Sequence, residues 1–363
     1  MGAFLSICIP TYNRAEVVYK TVRNILNYNG NNIEIVVSNN CSSDNTEELL
    51  LEIKDKRVKY FKNNYNNGYE NIISVLTYAS GEYLLLCSDE DDVVLDKLPV
   101  IMEILQQESP AIMLCGVSAY GKPYVKHRNG VYEKGYHALR EFGYGTSYIS
   151  GYIYNKAIMK KVMGKIYGTN INKRFGYGFC FSNLAREMLG IGKLIMREEM
   201  IILHRIDCKS DAEAVFDDGK FCFSPEARVL HSKEALVSIS KTPITHKEKY
   251  YFCRYFINKY ILTAYIEDYK ITFNKEKLKR NMITGNEKIL EYYKNNRKNA
   301  SGIKFYLRLH SLIVKYKKAI DEIGILKYKY KFMWLLYPKI SVTFTFKYYK
   351  VLLDFVLNKN KYK

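Results

Sequence analysis

No stretch of the 363-residue chain reaches the roughly 18 apolar residues in a row that a membrane-spanning helix needs. The eight cysteines, at 8, 41, 87, 115, 180, 208, 222 and 253, include no Cys-x-x-Cys pair. Their scatter argues against a zinc site and for a reducing, cytoplasmic compartment in which thiols act as small buried hydrophobes. Met1–Pro10 lacks a basic leader region and a cleavage site, so it reads as a first strand rather than a signal peptide. No internal repeat stands out. Acidic residues are scarce in one place: 241–363 holds 9 Asp and Glu against 28 Lys and Arg, whereas 1–240 holds 28 of each. The formal charge of +19 therefore belongs to the last third of the chain. This composition step sets the expected domain boundary, with 1–240 as one domain and 241–363 as a basic, Tyr- and Lys-rich helical region.

What is present in the first hundred residues is a rhythm. Phe4–Ile9 is a short apolar strand stopped by Pro10, and Val17, Val18, Val22, Ile25 and Leu26 then recur at helical spacing. Ile33–Val37 is a second strand, and Asp44 is placed to cap a helix running through Leu51. Val58–Phe61 is a third strand, a helix follows near 70–79, and Tyr83–Leu86 is a fourth strand. Strands alternating with helices predict a parallel α/β sheet whose polar loops meet on one face. From 98 to 235 the pattern is looser. A helix over 99–107, a strand over 112–117 and helices over 155–163 and 182–189 are expected, with Gly- and Tyr-rich loops at 142–154 and 168–181.

Directly after the fourth strand stands Cys87-Ser88-Asp89-Glu90-Asp91-Asp92. Carboxylates so crowded repel one another unless a cation neutralises them. Hard oxygen donors of this kind suit Mg²⁺ or Mn²⁺, whose shell substrate phosphates commonly complete. Strand ends in open α/β sheets are also where ligands sit. By itself such a cluster is equally well a solvated acidic turn.

Four blocks in register resemble the family 2 glycosyltransferases of the GT-A fold. They are Ser6–Arg14, Val36–Thr46, Asn67–Asn71, and Ala79–Tyr83 running into Ser88–Asp92. The resemblance covers about 4–110 and divides the first domain into a nucleotide-sugar-binding half, 1–110, and an acceptor half, 111–240. It implies an enzyme that transfers a sugar from a nucleotide donor, a UDP-sugar first, usually with inversion and a divalent metal, Mn²⁺ or Mg²⁺. It further implies that Pro10, Thr11, Tyr12, Arg14, Asn39 and Asn71 help bind the nucleotide sugar. By the same resemblance Asp89 and Asp91 form the metal-binding pair, Asp91 ligating the metal at the diphosphate and Asp89 nearer the ribose. Asn39 departs from the family, which commonly has Asp there to accept from uracil N3–H. An amide can accept and also donate, so cytosine or thymine is less firmly excluded.

The acceptor half lacks the Glu-Asp pair from which many members draw a general base: Tyr177–Phe181 has no carboxylate. Asp207 and Asp211, in the polar segment after the apolar strand Met200–Leu203, are the base candidates. Glu187 reads as part of a solvated helix face, and His204 and Arg205 could contact acceptor or diphosphate. The expected acceptor is a glycan or lipid-linked glycan in bacterial surface polysaccharide assembly. The basic third suits peripheral contact with anionic lipid at the inner membrane face, its aromatics at headgroup depth. Two other readings stand beside this one: a catalytically silent member that binds nucleotide or glycan, and a nucleic-acid-binding protein acting through the basic third.

Overall fold

The computed structural model describes residues 2–146, 148–164, 179–205, 224–261 and 302–327, with six further positions between 263 and 295. The chain divides into two units, Met1–Ser210 and Asp211–Lys363. The division falls about thirty residues before the charge step at 240. The helix Pro225–Ser240 packs with the later helices of the second unit, so the compact unit begins before its basic composition does.

The first unit is built on one mixed sheet. Its strands are β1 (Leu5–Thr11), β2 (Ile33–Asn39), β3 (Val58–Lys62), β4 (Tyr83–Leu86), β5 (Asp91–Val93), β6 (Ile112–Ala119), β7 (Lys122–Val125), β8 (Gly130–Tyr132), β9 (Tyr152–Asn155) and β10 (Leu194–His204). The order is β3-β2-β1-β4-β9-β6-β10-β5, with β7 on β6 and β8 on β10. β3, β2, β1 and β4 are parallel, as the alternation predicted. Beyond β4 the sheet is mixed: β9 runs antiparallel to β4 and β6, while β10 runs parallel to β6. The helices α1 (Ala15–Leu26), α2 (Thr46–Glu52), α3 (Glu70–Tyr78), α4 (Leu98–Glu108), α5 (Tyr136–Phe142), α6 (Lys156–Met163) and α7 (Cys180–Leu189) complete the unit. β1, β2 and β4 are buried on both faces along most of their length, which is why they read as continuous apolar runs rather than alternating ones, while the edge strand β3 is partly exposed.

Two features differ from expectation. Tyr152–Asn155, placed in a loop by its Gly and Tyr neighbours, is the strand that bridges β4 and β6. Its tyrosines are wholly buried, and their hydroxyls bond Ser182 (2.8 Å) and the Phe181 carbonyl (3.1 Å), so aromatic content here signals core rather than loop. Asp44 serves two helices at once. One oxygen accepts from the Thr46 N–H at the start of α2 and the other from the Ala15 N–H at the start of α1 (3.1 Å each). Of the cysteines, 8, 87, 115, 180 and 253 are buried and 41 is partly so. Positions 208 and 222 lie outside the described residues.

The second unit is helical where described: α8 (Pro225–Ser240), α9 (His246–Tyr255), a π-helical turn Phe256–Ile261, and α10 (Gly302–Ile323). Thr245 and Glu248 form a reciprocal cap on α9. Arg308 of α10 pairs with Glu226 of α8 (2.8 and 2.9 Å) and with Asp268 (3.3 Å). Tyr250, Phe252, Cys253 and Phe256 are buried, while Tyr251 and Tyr255 share the exposed face. Among the described residues, no helix is long and apolar enough to cross a membrane.

One buried carboxylate fastens the sheet beneath the site. Glu34 on β2 accepts from Ser6 Oγ (2.6 Å), Ser80 Oγ (2.6 Å), and the N–H groups of Ser80 (2.5 Å) and Gly81 (3.2 Å). Gly81 is required there, because a Cβ would stand 2.5 Å from Ser6 Oγ and 2.9 Å from Ser6 N. Burial works to raise the Glu34 pKa, but these bonds outweigh it and hold the group below its ordinary 4.5. A depressed carboxylate contributes stability that is complete above its unfolded value and is lost as pH falls through the folded one. Glu34→Ala is therefore expected to cost roughly 3 kcal/mol near neutrality. In urea titrations the gap from wild type should close as pH drops below 4.5. A gap constant with pH would contradict the ionised assignment.

Candidate active site

The loops after β1, β2 and β4 and the end of β10 meet around the acidic segment. Asp89, Glu90 and Asp91 are all buried, at 4 %, 6 % and 0 % exposure. Burial pushes the Asp89 carboxyl up to about 6 although Arg14 and Thr11 oppose it. Arg14, just before α1, spans the segment: Nη1 donates to Asp89 Oδ1 (2.8 Å) and Nη2 to Glu90 Oε2 (2.7 Å). Thr11, the last residue of β1, donates to Asp89 Oδ2 at 2.7 Å. Thr11 and Arg14 thus come together with Asp89, while Pro10 pairs with Ser38 in the β1–β2 ladder and Tyr12 is left 43 % exposed.

Asp91 is held differently. The antiparallel β5–β10 ladder sets it directly opposite His204. Its Oδ1 lies 2.6 Å from Tyr148 Oη and 2.9 Å from His204 Nδ1, which are themselves 2.8 Å apart; Oδ2 accepts from Ser150 Oγ at 2.5 Å. The hydrogen bond to Asp91 raises the His204 pKa against the effect of burial, and burial together with the Asp91 charge raises that of Tyr148. Asp91 is a hard carboxylate donor of the kind that Mg²⁺ or Mn²⁺ takes, and here both its oxygens and the His204 Nδ1 are engaged in hydrogen bonds. No group of three or more His, Cys, Asp or Glu gathers for a metal among the described residues. A cation here would need oxygens from elsewhere to fill its shell, as Mg²⁺ does with substrate phosphates. Asp89, with both oxygens engaged by Thr11 and Arg14, stands beside that point.

Asn39 and Asn71 are buried and already bonded. Asn39 accepts from the Ser42 N–H and donates to Tyr60 Oη (2.9 Å each). Asn71 accepts from Ser38 Oγ (2.6 Å) and Asn63 (2.9 Å) and donates to the Ser38 carbonyl (2.9 Å). They tie the ends of β2, β3 and α3 into one amide network. The base candidates Asp207 and Asp211 lie outside the described residues, as do Tyr177 and Gly178. Glu187 is buried in α7 rather than on a solvated face.

Sequence reasoning missed Tyr148, Ser150 and the role of Arg205. Tyr148 and Ser150, two apart, were visible only as members of a Tyr- and Gly-rich loop. Arg205 is turned inward: Nε donates to the Glu90 carbonyl (3.2 Å), Nη2 to the carbonyls of Val17 and Asp89 (3.1 Å each), and Nη1 lies 3.5 Å from Asp92. Asp92 also accepts from Asn24 of α1 at 2.8 Å. The Arg205 guanidinium thus positions the acidic segment against α1 and is committed to that task rather than to a substrate.

Residues 6–167 match the family model described as glycosyl transferase family 2. That segment, just under half of the chain, is similar to the family 2 glycosyltransferases. Among curated relatives, a Campylobacter jejuni GalNAc(5)-diNAcBac-PP-undecaprenol beta-1,3-glucosyltransferase is 36 % identical over 103 residues, 27 % of this chain and 33 % of the relative. The abequosyltransferase RfbV of Salmonella typhimurium is 31 % identical over 131 residues, 34 % of this chain and 39 % of the relative. The Escherichia coli glucosyltransferase WfaP is 31 % identical over 105 residues, 29 % and 42 % of the two chains. The matched segments span a third to two-fifths of these relatives. Among solved structures, residues 1–349 of Staphylococcus aureus TarS in complex with UDP align over 98 % of this chain and 92 % of that one, with a TM-score of 0.60 at 12 % identity. That likeness establishes the GT-A fold of the chain.

Arg205→Ala should take one donor from each of three carbonyls and the cation from beside Asp92, and cost about 3 kcal/mol in chemical unfolding, as removal of one partner from a buried charged network does. Arg205→Lys should recover only part, since an ammonium cannot reproduce the planar fork. Wild-type stability in the alanine variant would show that Arg205 adds nothing to the hold that Arg14, Thr11, Tyr148, Ser150 and His204 have on the segment.

Proposed function

We propose that the chain transfers a sugar from a nucleoside-diphosphate donor, a UDP-sugar first, to a glycan or lipid-linked glycan acceptor in bacterial surface polysaccharide assembly. The observation that carries this reading is the buried carboxylate segment at the end of β4, with Asp91 paired to His204 and Asp89 to Thr11 and Arg14. The relatives support the substrate class: WfaP is named for UDP-Glc and a GlcNAc-diphosphoundecaprenol acceptor, and the Campylobacter enzyme for an undecaprenol-linked glycan. Asp91, with Asp89 beside it, would hold Mn²⁺ or Mg²⁺. Such a cation supplies positive charge to a leaving diphosphate, where an inverting transfer develops negative charge. Thr11 and Arg14 fix Asp89 toward the ribose, Tyr12 offers an exposed ring for the base, and Asn39 sets the turn that faces it. Asp207 or Asp211 would take the proton of the acceptor hydroxyl.

Calorimetric titration with UDP, CDP, GDP and dTDP, with and without Mn²⁺, tests the reading. One nucleotide, UDP first, should bind in a metal-dependent way, and Asp91→Ala should abolish that dependence. Asp207→Asn and Asp211→Asn should keep the binding, and one of them should lower donor turnover by about a hundredfold or more, the scale of general-base catalysis. Metal-independent binding in the wild type would defeat the Asp91 assignment.

We also propose peripheral contact of 241–363 with anionic lipid, supported by its positive charge and by the exposed Tyr251 and Tyr255. Vesicles rich in phosphatidylglycerol should co-sediment the protein more than neutral phosphatidylcholine vesicles do, with part of the binding surviving high salt through the aromatics. Equal binding to both would remove the electrostatic contact.

A further inference from the structure

Tyr120 and Tyr124 stand 67 % and 62 % exposed on the hairpin that joins β6 to β7. A single exposed tyrosine is ordinary, but three observations set this pair apart. The first is position. Ladder pairing puts Asp91 opposite His204, His204 opposite Ala119, and Ala119 opposite Lys122, so the hairpin shares one cross-strand row with the acidic segment, across β10 and β6. The second is packing. The Tyr124 ring lies 21° from parallel to His204, with centroids 6.4 Å apart, and meets Tyr148 edge-on at 5.4 Å. Both of those neighbours bond Asp91 Oδ1. The third is backbone. Tyr120 and Gly121 form the two-residue turn with φ of 54° and 68°. Both values are left-handed, a conformation that hairpin turns normally give to Asn-Gly and that is strained for an aromatic residue. Strain kept at the tip of a loop beside a site points to use of the side chain held there.

We propose that Tyr124, with Tyr120 at the tip, forms a subsite for a pyranose ring of the acceptor. A pyranose presents a face of C–H bonds and a rim of hydroxyls. The electron-rich face of a tyrosine ring attracts the former, and its hydroxyl and the nearby polar groups meet the latter. The sheet order assigns the ring to acceptor rather than donor. β1 and β2, which carry Thr11, Tyr12 and Asn39, lie on one side of β4, while β6 and β10 lie on the other. The hairpin thus flanks the acidic segment opposite the nucleotide side. This assignment rests on the glycosyltransferase reading above and names the part of the site that takes the second substrate.

Saturation-transfer difference NMR on the full chain, with the methyl glycosides of glucose, galactose, N-acetylglucosamine and mannose as probes, tests it. At least one glycoside should receive saturation at its ring C–H protons in the wild type. Tyr124→Ala should abolish that signal and Tyr124→Phe should retain it. Tyr120→Asn, which suits the turn better, should keep the fold and weaken the signal. UDP titrations run in parallel should be the same in wild type and Tyr124→Ala. Equal saturation in wild type and Tyr124→Ala, or none for any glycoside in the wild type, overturns the subsite. Joint loss of sugar signal and UDP binding in Tyr124→Ala also overturns it, by making the ring a cover for His204. Failure of the wild type to bind UDP is a separate result that strikes the donor reading, because the glycoside spectra are recorded without nucleotide as well.

Discussion

Keeping three consecutive acidic side chains out of water is the constraint on which the first unit depends. Removing an ionised carboxylate from water is costly unless partners replace its hydration. Asp89, Glu90 and Asp91 obtain theirs from every side. Arg14 and Thr11 come from the end of β1 and the start of α1, Tyr148 and Ser150 from the approach to β9, and His204 from the end of β10. Arg205 holds the backbone of the same segment. The outermost of these partners, Thr11 and Arg205, are 194 positions apart, and only the folded sheet brings them together. The segment is therefore both the product of the fold and a test of whether the fold has formed.

The order of strands follows from the same requirement. If β10 paired only with β6, His204 would end one row away from the carboxylates. The short β5, formed by the acidic segment itself, pairs with β10 and closes that distance. A strand of three residues has little stability of its own. It is held because Arg205 grips the carbonyls just before it and Asn24 and Arg205 take up Asp92. Structure that sequence periodicity assigns to a loop becomes strand because its polar groups have nowhere else to bond.

The first hundred residues were legible because local rules suffice there. Apolar runs gave β1 to β4 within a residue or two, and the motif blocks brought Thr11, Arg14, Asp89 and Asp91 to one place. Beyond residue 110 the same rules still found β6, α6 and α7 within two residues but missed β7, β8, β9 and α5, for reasons that can be named. β9 was hidden because its residues pack as aromatic core, and aromatic-rich Gly segments look like loops. Tyr148 and His204 act through partners 57 and 113 residues away, a separation that no local pattern encodes. Asn39 was legible as a position but not as a role. Its buried amide spends both polar atoms on Ser42 and Tyr60, a commitment visible only once β3 is paired beside β2.

That commitment gives the site two unlike halves. On the β2–β3–α3 side, Ser38, Asn39, Asn40, Asn63 and Asn71 are joined by neutral hydrogen bonds, with Asn40 accepting from Asn63 and from the Asn67 N–H (3.0 Å each). On the β4–β5–β10 side every central group carries or shares charge. Neutral amide networks lose little when ionic strength or pH changes, because they hold no net charge to screen or titrate. The charged half responds to both. A ligand lying across the two would be read for shape and hydrogen bonding at one end and for charge at the other. That division suits a molecule with a heterocycle at one end and an anionic diphosphate at the other. The replacement of a carboxylate by Asn39 concentrates negative charge at the Asp89–Asp91 end, where a cation can answer it.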